Sequence, residues 1–279
     1  MQKTLINRII IYLLLGFFLL FLMLPFIEMF LVSIKPLEQV FEIPHSLWPE
    51  TIYLKTYTHD IWETVPLLPL YLQNSILIST VVTLICLVAA IPAGYAFSRF
   101  RFPGRNAILF LTLAVNMFSP VVLLVPLFRT MRMFNLLNTY WCMIIPGATF
   151  LLPFSIWMLT GYFRNIPKAL EQAALVDGAT PWQALFHIVM PLAAPGMVTV
   201  ATYAFVTSWG QQFVFAISFN TIREIQPITQ GLYEYFGQNI MQWNELMAAS
   251  LVAILPVTLV FLFLQKYLIE GLTAGAIKG

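Results

Sequence analysis

Six long apolar segments constrain the fold of this chain more than any other feature of its sequence. Leu, Ile, Val and Phe dominate them, and each is long enough for a helix to cross the hydrocarbon core of a bilayer, which takes about 20 residues. None alternates apolar and polar residues as a membrane-spanning β-strand does. The segments cover residues 9–32, 71–97, 107–128, 140–162, 192–219 and 246–268. They predict an all-α integral membrane protein with six transmembrane helices.

The composition agrees with this prediction and argues against several other classes of protein. Charged residues make up 9% of the chain and hydrophobic residues 60%, whereas a soluble domain carries about 25% charged residues. We therefore expect the lipid bilayer as the environment. A net charge of +2 gives no indication of a nucleic-acid partner. Cys86 and Cys142 lie inside apolar segments and are expected to be small buried hydrophobes rather than disulfide or metal ligands.

The distribution of basic residues predicts the orientation. With the N-terminus in the cytoplasm, nine of the fourteen basic residues fall on the cytoplasmic side and five on the other, as the positive-inside rule requires. Arg129 and Arg132 lie outside, against the trend. We expect both termini in the cytoplasm. The predicted order is a first helix within residues 1–32, an extracytoplasmic loop at 33–70, a five-helix core at 71–270 and a tail at 271–279.

The segment at 168–191, between the fourth and fifth apolar segments, predicts a short helical hairpin. Gly178 can end a helix in the left-handed conformation. Thr180 can cap a second helix, with Pro181 at its first position and Gln183 at the capping-box spacing. Each helix would have about ten residues and a length of about 15 Å, which is too short to cross a bilayer.

The second helix of the hairpin is predicted to be amphipathic. Its apolar stripe comprises Trp182, Leu185, Phe186 and Val189, and its opposite side carries Gln183, Ala184 and His187. Two interpretations are open on chemical grounds. The hairpin lies on the membrane surface, or it projects into the cytoplasm and is gripped by a partner.

The hairpin resembles the EAA loop of the permease subunits of ATP-binding-cassette (ABC) importers. The matching motif positions are Ala173, Ala174, Gly178, Ile188 and Pro191. Gln172 occupies the position of the usual Glu, and its neighbour Glu171 is the residue that could substitute for it. The stretches DGATPWQALFHIVMPLAAPG and KYLIEGLTAGAIKG resemble the carbohydrate-uptake subgroup, similar to the smaller permease subunit of the maltose transporter.

This resemblance implies a set of partners in a bacterial or archaeal cytoplasmic (inner) membrane. They are a sister permease that forms a heterodimer with this chain, two cytoplasmic ABC ATPase subunits, and an extracytoplasmic sugar-binding protein. ATP and Mg would be bound by the ATPase subunits, and this chain would hold no cofactor and no metal. The residues that would couple to the ATPases are Glu171, Gln172, Ala173, Ala174, Asp177, Gly178, Ile188 and Pro191.

Two further segments have a simple and a functional interpretation. The tail at 271–279 is rich in glycine, and the loop at 220–245 is long and aromatic. In the family, such a tail reaches the ATPase interface and such a loop can reach into the binding protein. The alternatives are a flexible chain end and a surface loop with aromatic residues at the membrane interface.

Polar side chains inside the apolar segments are candidates for the transport pathway, because polar groups in spans usually face the bundle interior or a cavity. The candidates are Ser208, Trp209, Gln211 and Gln212 in the fifth segment, and Asn116 and Ser119 in the third. Gly210 could permit a break or a close approach of another helix. The alternative is that these groups hydrogen-bond between helices. No charged residue lies at the centre of a segment, which favours a neutral polar substrate.

The sequence contains neither a P-loop nor a G-x-G-x-x-G fingerprint, so we do not expect an enzyme. Two rival transporters remain open: an ABC permease for a solute other than a sugar, and an ion-coupled carrier. A carrier would normally need acidic residues within the membrane. A polytopic membrane enzyme would need Asp, His or Arg clustered at one membrane face, and the sequence shows no such grouping.

Overall fold

A computed structural model of the chain describes residues 2–44, 46–236 and 241–276. These residues are helical or irregular, apart from one bridge between Phe236 and Met241, so the predicted all-α class is confirmed. We label the helices α1 Gln2–Ser33, α2 Leu37–Val40, α3 Ile61–Thr64, α4 Leu68–Arg99, α5 Arg105–Met117, α6 Pro120–Met133, α7 Trp141–Asn165, α8 Lys168–Val176, α9 Pro181–Leu192, α10 Ala194–Phe219, α11 Ile228–Gly231 and α12 Trp243–Ala276.

Four of these helices, α1, α4, α7 and α12, are long and apolar enough to cross a membrane on their own. Two bent pairs meet the same criterion together: α5 with α6, at an angle of 90°, and α9 with α10, at 79°. Counting each pair as one span gives up to six spans. The fifth predicted segment, at 192–219, corresponds to α10, which begins at Ala194 after the bend.

The third predicted segment departs from the expectation of one continuous helix. α5 ends in a 3₁₀ turn, Phe118 and Ser119 are extended, and α6 begins at Pro120. Proline disfavours the helical conformation of the residue before it, and Ser119 accordingly has φ −63° and ψ 134°. The chain turns by 90° at this point.

The chain forms two compact units: Met1–Leu68 with Leu232–Ile254, and Pro69–Gly231 with Leu255–Gly279. In the second unit, one buried apolar cluster joins α4, α6, α7 and α10, with Ile78, Val82 and Cys86 as the contribution of α4. A second cluster joins α4, α5, α7, α9 and α10 around Leu159 and Phe163. Both cysteines are free and buried, as predicted.

The first unit contains a folded part of the segment at 33–70, which the sequence predicts to be a loop. Helices α2 and α3 form there, and Ile61 and Val65 are fully buried. The hydroxyl of Tyr235 donates a hydrogen bond of 2.6 Å to the carbonyl oxygen of Ile61. Burial raises the pKa of Tyr235 above its ordinary value, so this hydroxyl remains a donor throughout the physiological range.

Packing of α10 against α7 predicts a specific destabilising substitution. Gly196 is buried, and a Cβ added to it would lie 2.4 Å from Cγ of Tyr162. We expect Gly196→Ala to lower the free energy of unfolding by about 1–3 kcal/mol, the usual cost of overpacking. The measurement is the midpoint of thermal unfolding in detergent.

Gly161→Ala is the matched control, because nothing lies within 4 Å of a Cβ added there. In a helix interior this change is favourable by about 0.5–1 kcal/mol, so the control variant should unfold at the same temperature or a higher one. Equal destabilisation of both variants would contradict close packing at Gly196.

Candidate functional site

The hairpin predicted at 168–191 is present and has the predicted local geometry. Gly178 separates α8 from α9 with φ +90°, a conformation that costs a residue with a side chain roughly 1–2 kcal/mol. Both hydrogen bonds of the capping box form: the amide of Gln183 donates to Oγ1 of Thr180 over 3.3 Å, and the amide of Thr180 donates to Oε1 of Gln183 over 2.7 Å. Local sequence signals therefore determine the shape of the hairpin.

The apolar stripe of α9 divides between two environments. Leu185 and Val189 are fully buried in the cluster around Leu159 and Phe163 and anchor α9 to the bundle. Trp182 and Phe186 stack on each other and are 61% and 51% exposed. Ala184 is also buried, contrary to its predicted place on the polar side. The buried side of α9 therefore contains Ala184, Leu185 and Val189, and is rotated away from Trp182 and Phe186.

Glu171 holds α8 in a different way, through charge. Its Oε2 lies 2.7 Å from Nε of Arg99, its Oε1 accepts a hydrogen bond from Tyr95, and the two charged side chains are only 11% and 5% exposed. Arg99 also donates from Nη2 to the carbonyl oxygen of Ile166 over 3.2 Å. Its Nη1 is buried and has no hydrogen-bond partner among the described residues.

The direction of Glu171 corrects one expectation. Its carboxylate faces inward and is occupied, so it does not present a charge in place of the motif's missing Glu. Gln172, at the position of that Glu, is exposed, as are Ala173, Asp177 and Gly178. The outer surface of α8 therefore carries small and amide side chains at the motif positions, with Asp177 as its acidic group.

The remaining predicted coupling residues lie along α9 and the turn. Ile188 is half-buried and Pro191 is exposed, while Ala174 on α8 is half-buried. A shallow concavity of about 350 Å³ opens between the turn and α9, lined by Asp177, Gly178, Ala179, Gln183, Ala184, His187 and Ile188. The hairpin thus presents both a concave surface and an exposed aromatic pair.

Within α10, two adjacent glutamines have different surroundings. Gln212 is buried; its Oε1 accepts from Oγ of Ser75 over 2.7 Å, and its Nε2 donates to Oγ of Ser79 over 2.6 Å and to the carbonyl oxygen of Ser75 over 3.1 Å. Gln211 is half-buried, and its shielded Oε1 has no hydrogen-bond partner among the described residues. Gln212 is fully used within the bundle, whereas Gln211 keeps an acceptor free.

The other candidates in α10 are mostly enclosed. Ser208 is 2% exposed and Trp209 7%. Gly210 neither breaks the helix nor packs closely, since α10 is continuous and nothing lies within 4 Å of a Cβ added there. The suggested break at this glycine is therefore wrong, and a close approach by a helix of another chain stays a prediction.

Asn116 and Ser119 lie on either side of the break between α5 and α6, and both are exposed. Met117 and Phe118 between them are 84% and 58% exposed. This stretch therefore combines two polar side chains, two large apolar ones and two residues with extended backbone.

A polar cluster that sequence reasoning missed lies at the end of α4 remote from the hairpin. Nδ2 of Asn74 donates to the carbonyl oxygens of Glu224 and Gln226, each over 2.9 Å, and Oδ1 of Asn74 accepts from the hydroxyl of Tyr140 over 2.8 Å. Oγ of Ser75 accepts from the amide of Ile228 over 2.9 Å. In the sequence, the indication of this cluster is the adjacent pair Asn74 and Ser75 near the start of an apolar run. Polar residues at that place also occur simply because they lie at the membrane interface.

Comparisons with known proteins place this geometry in a family. A family model described as binding-protein-dependent transport system inner membrane component matches residues 87–273, which include the hairpin. The chain belongs to this family. Its members are the membrane permease components of ABC importers, and the permease fold is therefore established for this chain.

Relatives match over nearly the whole length. A sulfoquinovosyl glycerol transport system permease protein of Agrobacterium fabrum is 36% identical over 91% of this chain and 88% of its own. A trehalose/maltose transport system permease protein of Thermococcus litoralis is 34% identical over 91% of each chain. A solved structure of a bacterial ABC transporter involved in the import of the acidic polysaccharide alginate has a similar chain, with a TM-score of 0.76, 26% identity and coverage of 94% of this chain and 96% of that one.

The two glutamines of α10 give a direct test of these roles. We expect Gln212→Ala to lower the free energy of unfolding by about 1–2 kcal/mol, because three hydrogen bonds to Ser75 and Ser79 are lost inside the bundle. Gln211→Ala should change it by less than about 0.5 kcal/mol. Thermal unfolding of both variants in the same detergent measures the difference, and equal shifts would contradict the assignment.

Proposed function

We propose that this chain is the permease subunit of a binding-protein-dependent, ATP-driven importer of a carbohydrate or a similar neutral polyol or glycoside. It would form half of the translocation pathway. The observation that carries the proposal is the capped hairpin with an exposed outer face, in a chain of this family. Relatives named as permeases for trehalose and diacetylchitobiose support the sugar class. The alternative substrate is a solute other than a sugar.

The hairpin is the proposed site of coupling to the ATPase subunits. Trp182 and Phe186 are exposed on α9 while Leu185 and Val189 of the same helix are buried. Exposed aromatic side chains are common anchors in protein interfaces. Because the bundle covers only part of the apolar side of α9, the exposed part remains available to a partner. We assign an ATPase subunit as that partner, with a cleft that receives the hairpin. ATP and Mg would be bound there, and this chain would have no catalytic site.

The break between α5 and α6 supports a pathway role for Asn116 and Ser119. Irregular backbone at membrane depth is tolerated only where protein covers it or where it lines a water-filled cavity. Phe118 and Ser119 are non-helical and exposed on this chain. We therefore assign this surface to the pathway or to the contact with the sister permease, and not to lipid.

The orientation and the remaining partners complete the proposal. Both termini would be cytoplasmic, so the hairpin faces the ATPases and the loop at 220–245 faces the extracytoplasmic binding protein. That loop is described up to residue 236 and again from 241. The backbone of the tail is helical to Ala276, and residues 277–279 lie outside the described residues. Its contact with an ATPase subunit stays a prediction.

Purification of the chain from native membranes in mild detergent tests the function. We expect a second polytopic subunit and an ATPase to co-purify in a ratio of one to one to two. Gly178→Val should reduce the bound ATPase at least tenfold while the sister permease stays, because Val is strained at φ +90° and projects from the exposed turn. Quantitative mass spectrometry of the bound proteins gives both results.

Gly161→Val is the control for these preparations, since Gly161 is exposed and has open space around its Cα. It should retain the ATPase at the wild-type ratio. A chain that purifies alone, or a Gly178→Val variant that keeps its full complement of ATPase, would contradict the docking role of the hairpin.

Oε1 of Gln211 has no hydrogen-bond partner among the described residues but is shielded in this structure, so we expect it to meet a substrate hydroxyl in a state of the transporter that opens beside α10. One hydrogen bond to a substrate hydroxyl contributes about 0.5–1.5 kcal/mol, so Gln211→Leu should weaken the apparent affinity for substrate about 2- to 10-fold. Uptake of labelled trehalose, maltose and diacetylchitobiose by proteoliposomes that contain the whole transporter is the measurement. Ile217→Leu, on an exposed part of the same helix, is the control. Unchanged kinetics for Gln211→Leu with every transported sugar would assign that side chain to packing.

A further inference from the structure

Helix α4 holds both the hairpin and the loop at its other end through buried polar contacts. We propose that α4 is a strut that transmits the arrival of the binding protein at residues 222–231 to the ATPase-docking hairpin. This inference rests on the proposed function, because that function supplies the partners at the two ends.

The tie at the hairpin end is ionic. Of the side chains of α8, only that of Glu171 is buried, and its carboxylate oxygens are bound by Arg99 and Tyr95 of α4. Arg99 also binds the carbonyl oxygen of Ile166, just after α7. A buried charge pair is strongly sensitive to the loss of either partner, since the remaining charge is then uncompensated. The first helix of the hairpin therefore follows the end of α4.

The tie at the opposite end is made of neutral hydrogen bonds. Asn74 binds the backbone at Glu224 and Gln226, and Ser75 accepts from the amide of Ile228. Three backbone groups of the loop are thus held by two adjacent residues of α4. Close packing adds to this, since a Cβ on Gly231 would lie 2.2 Å from the ring of Tyr71. The loop from 222 to 231 is therefore fastened to the first turns of α4.

Between the two ties, α4 is continuous and closely packed. Asn74 and Arg99 are 25 positions apart in one helix, which corresponds to about 37 Å at 1.5 Å per residue. On the way, the helix packs against α7 at two close points: Val82 lies 3.4 Å from a Cβ added to Gly147, and Leu159 lies 3.0 Å from one added to Gly94. Such packed interiors have low compressibility and transmit displacement, so a movement of the loop reaches the hairpin.

The test uses the assembled transporter in proteoliposomes, with its binding protein added in ligand-loaded form. The readout is the stimulation of ATP hydrolysis, measured as the rate with the binding protein divided by the rate without it. Asn74→Leu removes two of the three hydrogen bonds between α4 and the loop, those to Glu224 and Gln226, with a side chain of similar size. Arg99→Met with Glu171→Met replaces the inner tie by an apolar pair, which leaves no uncompensated charge. Each change should reduce the stimulation at least fivefold, with the ATPase still bound.

The combination of the two changes is the decisive measurement, because it is a double-mutant cycle across the membrane. If the two contacts act in series, breaking the second has no further effect on the stimulation of ATP hydrolysis. The combined variant should therefore show the same stimulation as the single variant with the lower value. Gln73→Leu, an exposed neighbour of Asn74, is the control and should keep full stimulation. Multiplied effects of the two changes, or full stimulation with Asn74→Leu, would overturn the strut.

These outcomes are distinct from a failure of the proposed function. If the wild-type chain binds no ATPase, the coupling role of the hairpin is wrong, and transmission through α4 has no ATPase to act on. If the ATPase binds and responds to the binding protein, but Asn74→Leu responds equally well, the function stands and the route through α4 is wrong.

Discussion

The backbone of a chain in a bilayer must satisfy its own hydrogen bonds, and this constraint determines where the present protein can depart from helix. The long helices obey it directly. Among the departures within or beside the spans are the break at Phe118–Ser119, the bend at Ala193 and the hairpin turn at Gly178. The turn at Gly178 lies between two short helices, and the amides of Gly178 and Ala179 donate hydrogen bonds to carbonyl oxygens of α8. The break at Phe118–Ser119 is exposed on this chain, and for that reason it needs a partner or water.

The hairpin is attached to the bundle by two different kinds of interaction, one for each helix. α9 is anchored by apolar burial of Leu185 and Val189, which is non-directional and tolerates small shifts. α8 is anchored by the pair Arg99 and Glu171, which is directional and depends on geometry. A docked partner that moves the hairpin would therefore act on α4 chiefly through the ionic contact. The apolar contact would keep α9 seated during the same movement.

Local features of the fold could be predicted from the sequence, and features that depend on distant residues could not. Four of the six predicted spans, the left-handed Gly178 and the capping box of Thr180 with Gln183 follow from neighbouring residues, and the structure confirms them. The inward direction of Glu171 depends on Arg99, which is 72 residues earlier. The hydrogen bonds of Gln212 depend on Ser75, 137 residues away. Pro120 was a visible signal for the break in the third segment, but the length of the apolar run outweighed it.

Neighbouring polar residues in this chain divide their roles, and the helix itself is the reason. Successive side chains on a helix point about 100° apart, so adjacent polar residues face different surroundings. Glu171 contacts α4 while Gln172 faces outward. Gln212 bonds to Ser75 and Ser79, while Oε1 of Gln211 has no hydrogen-bond partner within the described part of the chain. Sequence chemistry cannot rank such neighbours, because their residue types are similar. The unused hydrogen-bonding capacity that remains after the internal contacts are made is what separates a structural residue from one available to a substrate or a partner.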